Sequence, residues 1–326
     1  MSFWEAARRK IPAVLKAAFG LALFASVEYL FLYLFFWLNI DRQVYKGTYN
    51  TVVSVVCLIC LIIFGKVTST KKDPLYKFNK ITPGQAVALV IVAIGMLGFV
   101  TTYIIITDQI SRFLNPVEEA LEEYRESVDR YSEVSEVVVP EWDKILYIIT
   151  LCFIVPVNEE LVFRGAIYGH LKRAFRPWTA IILSSIVFGI MHGISVHIGY
   201  ALVCGLIITS CYYLTDSLFA SIILHVIFNI FGAGIANSFS LEFVKISEES
   251  SSAFITGINL VSIMMMPLAV FSFVYLLVTK RKKDADAKKV AEYIASREES
   301  KKEDDEEMTN GDNLYSEASV KGESEE

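Results

Sequence analysis

Two adjacent carboxylates and a guanidinium interrupt an apolar stretch at Pro156-Val157-Asn158-Glu159-Glu160-Leu161-Val162-Phe163-Arg164-Gly165. On a helix, Glu160 and Arg164 stand four apart on one side and can pair. Glu159 is turned by about 100° and can meet a different partner. Farther on, Phe188-Gly189-Ile190-Met191-His192 sets a ring and an imidazole four apart, and His225-Val226-Ile227-Phe228-Asn229 does the same for an imidazole and an amide. Charged and polar groups inside apolar helices usually have a partner or a function. Each group also has a plain reading. The Glu–Arg pair can be a structural ion pair, either histidine an interhelical hydrogen-bond partner, and His225 with Asn229 packing glue. Those readings weaken when three apolar segments supply all of them between residues 159 and 229.

The segments that must position these groups read as membrane spans. Of 326 residues, 54% are hydrophobic, against about 45–50% in soluble domains, and mean hydropathy is +0.47. Crossing the hydrocarbon takes roughly 20 mostly apolar residues. Such runs fall near 15–39, 50–65, 84–107, 144–168, 178–193, 197–214, 217–235 and 256–279. The expected fold is therefore all-α, a polytopic membrane helix bundle with about eight transmembrane helices. The first run is too long for the apolar core of a signal peptide, which is about 7–15 residues. Pro156 is expected to weaken its helix just before the carboxylates. The pairs Gly165/Gly169 and Gly189/Gly193 are expected to let helices approach closely. A charge inside a span costs about 2.5 kcal/mol or more and so marks a partner or a function. Glu28, between Val27 and Tyr29, is read as a structural residue that pairs or snorkels, the alternative being a second polar wall for a cavity. His170 and His197 read as interfacial.

Lysine and arginine favour cytoplasmic loops. Arg8, Arg9 and Lys10, then Lys66, Lys71, Lys72, Lys77 and Lys80, then Lys172, Arg173 and Arg176, and finally Lys280 to Lys283 fall on one side if there are eight spans. The acid-rich segments 108–143 and 239–250 fall on the other, the part from Pro116 to Ser135 as a helix. This places the chain in a cell membrane with both termini cytoplasmic. Residues 284–326 hold too few apolar groups to offset the entropy of ordering; helix is expected to about Lys302 and disorder beyond. The five cysteines all lie in apolar runs. Cys57 and Cys60 read as packing residues, since a redox pair needs thiolate access. A net charge of −6, held by loops and tail, gives no sign of nucleic-acid binding.

Glu-Glu-x-x-x-Arg, then Phe-x-x-x-His, then His-x-x-x-Asn on successive membrane helices resembles the CAAX protease and bacteriocin-processing family, intramembrane peptidases of the Ras-converting-enzyme type. The likeness covers roughly residues 144–233, and all three motifs are intact, Phe-Arg-Gly at 163–165 included. It implies that residues 1–143 are N-terminal spans plus the acidic extracytoplasmic segment, 144–279 the catalytic membrane domain, and 280–326 a charged cytoplasmic tail.

The resemblance also implies roles. Glu159 would activate water, His192 would help hold and polarise it, Glu160 would pair with Arg164, and His225 and Asn229 would donate to the oxyanion. The implied activity is endopeptidase cleavage of a membrane-associated protein or peptide in contact with the lipid bilayer, without a cofactor. The chain has no H-E-x-x-H, yet Glu159, His192 and His225 are also a possible zinc set. Rival readings are a non-enzymatic scaffold or bacteriocin-immunity protein on the same fold, and a proton-coupled transporter using Glu and His as a relay.

Overall fold

The apolar runs become helices because lipid offers the backbone no hydrogen-bond partner, so each span must satisfy its own amides and carbonyls. A computed structural model describes residues 3–70, 73–132, 139–193 and 195–322. In chain order the helices are α1 (Phe3–Trp37), α2 (Lys46–Thr68), α3 (Pro83–Ser111), α4 (Asn115–Ser132), α5 (Glu141–Leu171), α6 (Pro177–Ile190), α7 (Ser195–Thr215), α8 (Leu218–Ser240) and α9 (Glu248–Gly322). Seven are long and apolar enough to cross a membrane: α1 from Lys10, α2, α3, α5, α7, α8 and α9 to Arg297. With 14 residues, α6 rises about 21 Å, short of the roughly 30 Å hydrocarbon layer. The chain is thus an all-helical, multi-pass membrane protein, with seven candidate spans and one short apolar helix among the described residues where about eight spans were expected. Large side chains such as Phe19, Phe36, Met264 and Phe271 point outward, as a lipid-facing surface requires.

The chain divides into two compact units, Met1–Leu276 and Leu277–Glu326. The second is helical to Gly322, well past Lys302. Its Lys, Glu, Ala and Arg are strong local helix formers, although residues 281–297 are exposed throughout. The expected acidic helix is α4; Glu133 and Glu136 lie outside the described residues, as do Lys71 and Lys72 of the basic loop.

Within the first unit, close approach rests on small residues. A Cβ on Gly98 would overlap the Ser262 backbone of α9, and one on Gly95 would overlap Ala269. Gly165 and Gly169 admit a loop rather than a helix: Tyr76 lies against Gly165 and also against Gly65 of α2, and Leu75 packs on Gly169. Gly189 does receive a helix, with Leu202 of α7 at 3.1 Å from its Cβ position. Gly193 has open space around it and φ +75; it is a turn residue, not a packing contact.

The α2–α3 loop is fastened along its length. Tyr76 Oη donates to Leu61 O at 2.8 Å. Arg173, just beyond α5, holds Asp73 through Nε at 2.6 Å and the Asp73 carbonyl at 2.8 Å. Leu218 N donates to Lys77 O at 2.6 Å, and Asn79 Nδ2 to Asp216 O at 2.7 Å.

At the opposite end of α2 its first turn has no side-chain cap of its own. Asp143, fully buried in the first turn of α5, supplies one across a sequence gap of more than ninety residues. Its carboxylate accepts from Gly47 N and Thr48 N at 2.7 Å each and from Thr48 Oγ1 at 2.6 Å. The first amides of a helix need such a partner, and the negative charge also complements the helix dipole. Asp143→Ala is expected to cost about 2 kcal/mol, the upper range for a lost cap. Asp143→Asn should cost less. Thermal unfolding in detergent checks both.

Candidate active site

Helix α5 is not regular where the carboxylates sit. It passes through π segments at Thr150–Ile154 and Leu161–Tyr168, with an α segment Val155–Glu160 between them. Pro156 accounts for part of this. Val155 N bonds to Thr150 O, a π register in which the next carbonyl, Leu151 O, would await the amide of residue 156. Proline has none. The vacancy is filled from α8, where Asn229 Nδ2 donates to Leu151 O at 3.0 Å. Asn229 immediately precedes another π segment, Ile230–Gly234, whose Gly234 lies against Cys152. Thus Asn229 braces α8 against the irregular turn of α5. Asn229→Leu should leave a half-buried carbonyl without its partner and cost about 1 kcal/mol, read from unfolding curves of the purified protein.

Beyond this turn, Arg164 and Glu160 form the ion pair their spacing allows: Nη1 donates to Oε1 at 2.8 Å, with both side chains fully buried. The same Glu160 oxygen accepts from His225 Nδ1 at 2.7 Å. The guanidinium lies over the Phe188 ring at 4.5 Å, and its Nη2 is 3.5 Å from Gly205 O on α7. Because Glu160 Oε1 can only accept, His225 carries its proton on Nδ1 in the neutral state. Its Nε2 then faces Glu159 Oε2, 3.6 Å away. One imidazole therefore stands between two carboxylates, one dry and one partly open, Glu159 being 21% exposed.

Glu159 borders a cavity of about 240 Å³. Three helical faces converge on it: Phe24 and Glu28 from α1, Lys46, Asn50 and Ser54 from α2, and Tyr147, Leu151, Asn158 and Glu159 from α5. Residues 46, 50 and 54 are successive positions on one side of α2, so this wall runs about 12 Å along the helix. Asn158 Nδ2 donates to Ser54 O at 2.8 Å. Its Oδ1 is buried without a partner among the described residues.

Glu159, Glu160, Arg164 and His225 thus form one connected group, with Asn229 a turn away. His192 is set apart. Its Nδ1 donates to Phe188 O at 2.7 Å, and its ring lies 4.6 Å from Phe188, which also meets His225 at 6.1 Å. No hydrogen bond or ion pair joins His192 to Glu159, Glu160 or His225 among the described residues. His197 meets the His192 ring at 4.6 Å and stacks on Tyr200. His170, read as interfacial, is 1% exposed and packs on Phe64. No three His, Cys, Asp or Glu side chains among the described residues converge as a metal site would require. The alternative zinc set Glu159, His192 and His225 is therefore not assembled, and no step is drawn through a metal.

Lys46, Asn50 and Asp143 were not singled out from the sequence. Their signal was present: a polar stripe at i, i+4 and i+8 on an otherwise apolar helix, and an acid at the mouth of another.

Residues 141–231 match the family described as Rce1-like, Type II CAAX prenyl endopeptidase Rce1-like. The chain carries an Rce1-like type II CAAX prenyl endopeptidase family domain over that stretch, which spans all six singled-out residues. No curated protein and no solved structure matches the chain.

Proposed function

We propose that the protein is an intramembrane endopeptidase that hydrolyses a peptide bond of a membrane-associated protein or peptide with a water activated by Glu159. The observation that carries this reading is the position of Glu159, which borders a polar cavity on one side and faces His225 Nε2 on the other. Glu159 takes a proton as the water oxygen bonds to the scissile carbonyl carbon. The resulting oxyanion is met by donors, and proton transfer to the amide nitrogen lets the C–N bond break, releasing an acid and an amine. Arg164 pairs with Glu160, and Glu160 holds His225 in the tautomer that turns Nε2 toward Glu159. His225 then relays the proton, or donates to the oxyanion once protonated.

Asn229 spends one amide hydrogen on Leu151 O and keeps a second for the oxyanion, since a primary amide has two. His192 acts from the substrate side, through the Nε2 left over by its bond to Phe188 O. The basic loops 69–82 and 172–176 meet through Arg173 and Asp73. The lysine and arginine bias favours the cytoplasm for that end.

The separation of His192 from Glu159 favours a second reading, in which the same fold binds partners without cleaving them. Comparing membrane peptidomes of cells that make the native protein or Glu159→Ala separates the two. Fragments that vanish in the variant support the peptidase. Identical peptidomes with an unchanged cellular phenotype support the scaffold.

A further inference from the structure

The cavity has a wall that the family match does not reach. Glu28 on α1 and Lys46, Asn50 and Ser54 on α2 all precede residue 141, yet they line the same space as Glu159. Glu28 lies nine residues inside the Trp37 end of α1, about 14 Å along the axis, deep enough that an ionised carboxylate needs partners. Around it the same cavity is lined by other polar side chains, Glu159, Asn50 and Asn158 among them, of the kind a bound water uses. An internal water takes 2–4 such partners and about 30 Å³, so a cavity of about 240 Å³ holds a water and a peptide group beside it.

We propose that Glu28 is a positioning residue of this site, holding the hydrolytic water from the α1 wall of the cavity that Glu159 also borders. This rests on the peptidase reading above. A water offers two hydrogens. Glu159 accepts the one that is removed, and Glu28 accepts the one that stays, which fixes where the oxygen lone pair points. That division needs a carboxylate on each wall, and α1 provides the second.

The test uses the full-length protein in detergent, with Glu28→Gln, Glu28→Ala and Glu159→Ala beside it. The probe is a quenched fluorescent prenylated peptide ending in a CAAX sequence, and thermal unfolding is recorded for each protein. Glu28→Gln keeps size and shape, so a merely structural Glu28 predicts no change. A water-positioning Glu28 predicts that kcat falls about 10- to 100-fold with KM within about twofold. A second readout needs no turnover: the pH titration of the Glu159 carboxyl band in the infrared, assigned by its loss in Glu159→Ala. The other titratable groups near Glu159 are Lys46, Tyr147, Glu160, Arg164 and His225, all retained in Glu28→Gln. A displaced titration supports the contact. A folded Glu28→Gln protein with native kcat, or with an unmoved Glu159 titration, overturns the proposal. Full activity in Glu159→Ala overturns the underlying peptidase reading instead, so the two failures are told apart.

Discussion

Glu159→Ala is expected to lower peptide hydrolysis by about 10²–10⁴-fold, the range over which a positioned general base acts, while the protein still folds. The two halves of that expectation have separate causes. The rate falls because the adjacent carboxylate cannot take its place: Glu160 is fully buried and already accepts from Arg164 and His225. Stability holds because Glu159 borders the cavity, is partly exposed and has one polar contact, with His225 at 3.6 Å. Removing a carboxylate from a poorly hydrated site also relieves a desolvation cost, so the net change should stay within about 1 kcal/mol. Initial rates on purified protein and an unfolding curve measure both. Turnover within about threefold of the native rate would sink the assignment.

Arg164→Met should do the reverse and strike the fold first. Deleting one partner of a buried ion pair leaves the other charge uncompensated, at about 3–5 kcal/mol. Here the stranded group is Glu160, with Oε2 lacking any partner among the described residues. The cluster also loses the guanidinium packed on Phe188. Arg164→Lys should rescue little, because an ammonium cannot reproduce the planar contact. The paired substitution Glu160→Met with Arg164→Met removes both charges and should recover much of the stability, while His225 loses its tether and activity does not return. Denaturant midpoints for the single and paired variants decide this. A loss below about 1 kcal/mol in Arg164→Met would mean that the pair is not the keystone described.

Much of this was legible in the chain because the lipid environment makes sequence patterns strict. Apolar runs became helices with ends displaced by only a few residues, as at Lys46–Thr68 and Ser195–Thr215. Glu160 and Arg164 paired because i and i+4 spacing survives the π segment that begins at Leu161. Rotation could not be read. Each π turn inserts extra residues into the repeat, so a wheel drawn at 3.6 residues per turn misplaces the side chains beyond Thr150. In the structure His225, rather than His192, stands beside Glu159. The bond of Asn229 to Leu151 O was hidden for the same reason, since only the π register leaves that carbonyl vacant. Glu28 was visible as a charge in a span, but its neighbour lies more than a hundred residues away.

The keyed loop before α3 bears on how much of the chain the cavity needs. Tyr76 sits between glycines 65 and 165, so the early helices and the motif-bearing ones are latched into one body. A recombinant piece limited to 141–231 would own every motif residue and still lack α1, α2 and the latch. Its chemical alphabet would be intact while the room it furnishes had lost two of its walls.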